Sequence, residues 1–248
     1  MKPNLFIVGS MKCGTTALYD FLAIHPGISG SKPKEIHYFT LNQSKDEAWY
    51  LSHFKENPEA QYLLEASPSY FDTAWKEDIP RRIQNFNPEA KIIIMIRDPL
   101  IRAISHFYHL RTRGKVAELQ NISFTQLARS EWPAKANIAT LEEYRSRIMK
   151  FSLYARKIEN YVNVFGAKNV FLIENEAMMT NGEKVVNDLL ANLGLHSLPG
   201  SVLSKKGSMV GVPKKPEDES DNREQFEKTH AHDYERARRM TTATRIGN

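Results

Sequence analysis

Along most of the chain, short and wholly apolar runs alternate with stretches whose apolar residues recur at helical spacing. Leu5-Phe6-Ile7-Val8, Tyr62-Leu63-Leu64, Lys91–Ile96 (KIIIMI) and residues 170–173 (VFLI) are of the first kind. Runs this short and uniform suit strands covered on both faces, as in a parallel sheet. KIIIMI is the strongest of them and is expected at the centre. Ile28–Gly30 is a candidate short strand. The second kind comprises Leu18, Phe21 and Leu22; Trp49, Tyr50, Leu51 and Phe54; Ile101, Ile104, Ser105, Tyr108 and Arg111; Ile158, Tyr161, Val162 and Phe165; and Val185, Val186, Leu189, Leu190 and Leu193, each predicting a helix. Gly166 and Gly194 fit the ends of the last two. Residues 72–87 read as a connecting helix with Arg81 and Arg82 solvated. Residues 114–143 show little periodicity and read as an irregular insertion bordering an acceptor site. The stretch 205–220, rich in Gly, Pro and charge, reads as mobile, and the charged tail 221–248 as a solvated helix with a frayed end. The alternation, without repeat or linker, predicts an α/β fold with a central parallel sheet flanked by helices on both faces. One domain over residues 1–248 is expected, with residues from about 211 onward as mobile loop and tail.

Composition adds limits rather than a function. The 248 residues carry 34 Lys and Arg against 29 Asp and Glu, a net charge of +5 that fits an anionic ligand but is too small to indicate nucleic acid. Cys13 is the single cysteine, so an internal disulfide and a cysteine-rich metal site are both excluded. It reads as a small residue in a crowded turn rather than a nucleophile. A lone cysteine fits a reducing compartment, and Leu5 to Val8 is too short for a signal-peptide core or a membrane span, so a cytoplasmic protein with no membrane partner is expected. A trimmed luminal domain would have the same composition.

The candidate chemistry starts between the first strand and the first helix, at Ser10-Met11-Lys12-Cys13-Gly14-Thr15-Thr16. Gly9 ends the strand, and the helix is expected to begin at Thr15 or Thr16. Such a turn aims backbone N–H groups and the positive end of a helix dipole at one point and adds a lysine and two hydroxyls, which suits an anion. Gly9 and Gly14 have the spacing of the nucleotide-triphosphate loop G-x-x-x-x-G-K-[ST]. Thr15 stands where that loop has its lysine, however, and Lys12 lies inside the turn, which argues against an ordinary Mg-dependent NTPase. A glycine turn that is only a connection is the plain alternative.

Two further clusters stand out. Arg97 follows KIIIMI directly, and Ser105 falls on the second turn of the next helix; together they can close on one phosphate from two sides, the arginine through its planar donor fork. An Arg97–Asp98 structural pair is the alternative reading. In Lys32-Pro33-Lys34-Glu35-Ile36-His37-Tyr38-Phe39, Pro33 disfavours helix. Glu35 sits there among Lys34, His37 and two aromatics, which are expected to wall off water and move its pKa. Glu65-Ala66-Ser67-Pro68-Ser69-Tyr70 forms a polar turn at a carboxyl end of the sheet, where open α/β folds place ligands.

Lys12-x-Gly14-Thr15-Thr16 and Arg97-Asp98-Pro99-x-x-Arg102-x-x-Ser105 resemble, in order and approximate separation, the 5′-phosphosulfate and 3′-phosphate motifs of sulfotransferases that use 3′-phosphoadenosine 5′-phosphosulfate (PAPS). Lys34-Glu35-Ile36-His37-Tyr38-Phe39 resembles the branch containing heparan sulfate sulfotransferases and many soluble bacterial enzymes. The resemblance covers residues 4 to 210 and implies a P-loop-like sulfotransferase fold. It makes Glu35 the general base, with His37 orienting the acceptor or serving as base itself and Lys12 meeting charge on the leaving phosphate. It assigns Lys12, Cys13, Gly14, Thr15, Thr16, Arg97 and Ser105 to the nucleotide, and Lys206 and Gly207 to a late loop that closes over it. The heparan-modifying branch carries a lysine in a Glu-Lys-x-Pro context, where this chain has Glu65-Ala66-Ser67-Pro68.

The reaction so implied is in-line transfer of a sulfuryl group from PAPS, without a metal, to a hydroxyl or an amine of a small metabolite or glycan, leaving adenosine 3′,5′-bisphosphate (PAP). Two other readings stay open: a divergent P-loop kinase using ATP-Mg, and a catalytically silent nucleotide-binding protein. Oligomeric state is not readable from the residues.

Overall fold

A computed structural model describes residues 1–72, 78–114, 116–200, 216–240 and 244–246. They fall into two compact units, one of Met1–Ile96, Arg156–Met209 and Met240–Asn248, the other of Arg97–Ala155 and Val210–Arg239. In chain order the elements are β1 (Leu5–Gly9), α1 (Thr15–Leu22), β2 (Ile28–Gly30), α2 (Glu47–Leu51), β3 (Tyr62–Glu65), α3 (Ser69–Asp72), α4 (Ile79–Phe86), β4 (Lys91–Ile96), α5 (Pro99–Thr112), α6 (Phe124–Arg129), α7 (Ile138–Phe151), α8 (Ala155–Phe165), β5 (Val170–Glu174), α9 (Asn175–Asn192), α10 (Pro216–Ser220), α11 (Arg223–Arg238) and β6 (Thr244–Ile246).

The first unit is built on a parallel six-stranded sheet in the order β2-β3-β1-β4-β5-β6. Each apolar run of the sequence is one of its strands, and KIIIMI lies inside the sheet between β1 and β5. Leu5 to Val8 are fully buried, as are Ile92 to Ile96. Winding leaves β1 in one direction and β4 in the other, so the carboxyl ends of these strands form the switch point of the sheet. The register of β1 against β4 slips between Ile7 and Gly9, a bulge at the point where the strand becomes a loop. Leu18 and Leu22 of α1 join Val185, Val186, Leu189 and Leu190 of α9 in a core with Leu5, Ile7, Ile93 and Met95 of the sheet. Among the described residues no helix is long and apolar enough to cross a membrane.

The second unit has its own core, in which Leu100, Ile104 and Phe107 of α5 meet Phe124 and Leu127 of α6, Leu141 and Ile148 of α7, and Phe226 of α11. Two expectations are corrected here. The stretch read as irregular insertion contains a 3-10 turn at Ala117–Asn121, α6 and the start of α7, and it buries Leu119, Phe124 and Leu127 completely. Ser123 and Gln126 form a reciprocal capping box that starts α6 locally. The charged tail is helical but not simply solvated: Phe226, His230 and Ala237 are buried, and Arg223 bonds Asp98 at 2.6 Å and Glu219 at 2.7 Å. Its buried residues are spaced four and seven apart along the helix, a stripe too sparse to outweigh the charge when read as composition.

The helix expected over 72–87 is represented by the end of α3 and by α4. Asp78 caps α4, Arg81 pairs with Asp78 at 3.1 Å, and Arg82 donates to the Phe39 carbonyl at 3.2 Å and to Gln43, so Arg82 is tied to the segment before α2 rather than solvated.

Candidate active site

Parallel strands β1, β2 and β3 release their loops at one edge of the first unit, and hydrogen bonds join the three. The loop after β1 begins at Gly9, whose φ of 149° and closeness to Phe71 leave no room for a side chain: an added Cβ would lie 2.7 Å from the Phe71 Cβ. Ser10 donates its backbone N–H to the Met95 carbonyl at 2.8 Å and its hydroxyl to Asp72 Oδ1 at 2.7 Å; Met11 donates its N–H to Asp72 Oδ2 at 3.0 Å. Lys12 (φ 70°) and Gly14 (φ 92°) are both left-handed, which folds the chain into a tight cup. Asn175, the first residue of α9, donates to the Cys13 carbonyl at 3.1 Å. A Cβ on Gly14 would sit 2.6 Å from the amide nitrogen of Asn175. The helix α1 starts at Thr15 with no side chain capping it and no acid in its first turn, so its N-terminus keeps its positive character. Cys13 is fully buried.

The loop after β2 carries Glu35 and His37. Lys34 Nζ bonds Glu35 Oε1 at 2.9 Å and His37 Nε2 lies 3.3 Å from Glu35 Oε2, with the Glu35 side chain 43% exposed. His37, itself left-handed at φ 55°, donates its N–H to Ser67 Oγ at 2.9 Å, and its Nδ1 meets Ser69 Oγ at 2.7 Å. The His37 hydrogen bond, reinforced by the Lys34 charge, overcomes partial burial and lowers the Glu35 carboxyl to about 2. This corrects the expected role of the aromatics. Tyr38 stacks on Tyr50 at 4.1 Å, and Phe39 is buried edge-on against Phe6, Tyr50, Tyr70 and Phe86. They anchor the segment, while two polar neighbours set the charge of Glu35.

The loop after β3 supplies the support. Glu65 is fully buried and accepts hydrogen bonds from Tyr50, from Ser67 Oγ at 2.6 Å and from Tyr70 at 2.7 Å. Burial raises its carboxyl above the ordinary range despite these donors. Ser67 thus accepts from His37 and donates to Glu65, linking one loop to the next. Ala66 is fully buried.

Arg97 and Ser105 belong to the second unit. Asp98 caps α5, accepting from the Ile101 N–H at 2.9 Å, and also pairs with Arg223, while the Arg97 carbonyl accepts from Tyr154 at 2.9 Å. Ser105 is buried on α5. Arg102, the other arginine of the motif, is fully buried and bonds Ser152 Oγ at 2.8 Å and the Ile148 carbonyl, which makes it a tie between α5 and α7. Lys206 and Gly207 lie outside the described residues. Residue patterns did not single out Asp72, Asn175, Ser67, Ser69 or the tyrosines around Glu65. The turn 65–70 reads from the sequence as a polar turn at a ligand-placing end of the sheet, without roles for its single residues, and Asp72 as the start of a connecting helix.

A parallel sheet whose first strand opens through a glycine-bearing cup into a helix defines a P-loop-like α/β protein. Within that class the chain belongs to the sulfotransferase domain family, whose model matches residues 2–241. It is 30% identical over 203 residues to the bifunctional heparan sulfate N-deacetylase/N-sulfotransferase 1 of Mus musculus, covering 79% of this chain and 22% of that protein. To the heparan sulfate glucosamine 3-O-sulfotransferase 6 of Mus musculus it is 30% identical over 195 residues, covering 78% of this chain and 52% of that one. The chain therefore spans about a fifth to a half of the length of these relatives. The crystal structure of a sulfotransferase from Alicyclobacillus acidocaldarius superposes with a TM-score of 0.74 at 26% identity, covering 96% of this chain and 94% of the other.

Proposed function

We propose that the protein transfers a sulfuryl group from PAPS to an acceptor hydroxyl or, as the lesser alternative, an amine. The reading is supported by one observation: the 65–72 turn holds both the entrance of the loop carrying Lys12, through Asp72, and the loop carrying the partly exposed Glu35, through Ser67 and His37. PAPS supplies an activated sulfuryl group on a phosphate leaving group. Lys12 and the backbone N–H groups at the start of α1 are the donors for charge growing on that phosphate as its bond to sulfur breaks. Glu35 takes the acceptor proton as the new oxygen–sulfur bond forms, and His37 orients the acceptor or shares that proton. A carboxyl held near 2 is a weak base, so the transfer suits a late stage of bond formation, when the attacking hydroxyl has become acidic. Arg97 and Ser105 are assigned to the 3′-phosphate on the motif they match, as are Lys206 and Gly207 to the late loop. No metal is assigned a role.

A triphosphate loop needs its early backbone donors; here the Ser10 N–H is engaged by the Met95 carbonyl and the Met11 N–H by Asp72, which supports a shorter anion over ATP-Mg. For the acceptor, relatives named for heparan sulfate support a glycan, with a small hydroxylated metabolite as the other candidate. A cytoplasmic location goes with the lone, buried Cys13. Calorimetry with PAP against ATP-Mg tests the nucleotide: binding of PAP alone is expected, and preference for ATP-Mg would return the kinase reading. Labelled PAPS with a panel of glycans and small alcohols or amines tests transfer, and absence of turnover with every acceptor despite PAP binding would favour the silent protein.

A further inference from the structure

The cup is shaped by groups outside every motif discussed above. Asp72 ends α3, is 1% exposed, and takes one donor from the loop on each carboxylate oxygen, Ser10 Oγ at 2.7 Å and Met11 N at 3.0 Å. Those bonds fix the chain immediately before Lys12, whose φ of 70° a residue with a side chain keeps only when its surroundings demand it. A buried carboxylate directly behind an anion site nevertheless has the wrong sign. From α8, Lys157 reaches the same carboxylate: it is 5% exposed, its Nζ is 3.9 Å from Asp72 Oδ1, and it lies 4.7 Å from the centre of the Phe71 ring. Phe71 is also the side chain that leaves Gly9 without room for a Cβ.

We propose that Asp72 and Lys157 are a positioning pair for the anion loop, Asp72 holding its entrance in shape and Lys157 cancelling the charge that would otherwise repel a phosphate or sulfate. The proposal rests on the reading of the cup as a PAPS site. Neither residue touches the ligand; both act through Ser10, Met11 and the local field. A pair that only braced the fold would change stability and leave the affinity of the folded protein alone, whereas this pair sets affinity through charge.

The test is a charge cycle on the full chain with Asp72→Asn, Lys157→Met and the double variant, read as PAP affinity by calorimetry, KM for PAPS against kcat, and thermal melting. Lys157→Met leaves the Asp72 charge uncancelled, and PAP affinity is expected to fall about tenfold or more. KM for PAPS should rise with it while kcat changes far less. The double variant, with neither charge, is expected to bind PAP better than Lys157→Met alone, and Lys157→Arg to stay close to the wild type. Lys157→Gln carries the same expectation as the methionine variant and replaces it if that protein does not fold. Wild-type affinity in a folded Lys157→Met or Lys157→Gln protein, or a double variant no better than the single, overturns the proposal while the PAPS reading stands. A wild-type protein that binds no PAP overturns both, and the two failures are told apart by the wild-type titration itself.

Discussion

Glu35 and Glu65 are two carboxylates in one network, joined through His37 and Ser67, and they have opposite chemistry. Glu65 is sealed from water and surrounded by neutral hydroxyl donors, and burial pushes its carboxyl up. Glu35 is partly exposed, faces a lysine and a histidine, and is drawn down to about 2. Neutral donors around a dry acid make a brace; cationic neighbours around a wet one keep a charge where a substrate can reach it. On the proposed reaction, electrical surroundings rather than proximity suit one of these acids to act as a base and the other to brace the loops.

The comparison breaks most sharply at Glu35. Glu35→Gln is expected to lower kcat by about 10²–10⁴ with PAP affinity unchanged, measured by turnover and calorimetry. Full activity would remove Glu35 as the base. Glu65→Ala should act on stability instead: three buried hydroxyls lose an acceptor, a loss of about 3 kcal/mol by chemical denaturation. Turnover per folded molecule should change much less than in Glu35→Gln; its abolition in a folded protein would make Glu65 part of the reaction. Ser67→Ala cuts the link between the two acids and is expected to cost about 1 kcal/mol in the same measurement.

The smallest effect is the most diagnostic. His37→Gln removes the largest influence lowering Glu35, so the carboxyl should titrate higher than in the wild type when followed by NMR. Because the wild-type folded value lies below the unfolded one, Glu35 contributes stability above about pH 4.5 and loses it as pH falls through about 2. The variant should therefore lose part of its stability at neutral pH and converge with the wild type in strong acid. Glu65, raised by burial, has the opposite sign: its contribution is present below its unfolded value and fades as pH rises through the folded one.

Much of the sheet was legible because its strands are uniformly apolar, which local composition records directly. The tight turn around Lys12 and Gly14 and the Lys34-Glu35-His37 cluster were legible because each is formed by residues within a short segment. Asp72, Lys157 and Asn175 were not, since each acts on a loop distant in sequence and resembles an ordinary surface residue until the chain is folded. The direction of the Glu35 shift was equally hidden: Tyr38 and Phe39 suggested a dry site, whereas the fold buries Phe39, stacks Tyr38 on Tyr50 and leaves the polar neighbours to set the charge. The face of α11 that carries Phe226 and His230 was masked by the charges around it.

The three residues of β6 have a practical meaning for anyone handling the protein. They occupy the outer hydrogen-bonding side of β5, a strand whose Val170 to Ile173 are all buried. Trimming the chain before Thr244 would leave that side of an apolar ribbon unpaired, an invitation for a second molecule to add its own strand and for the preparation to precipitate.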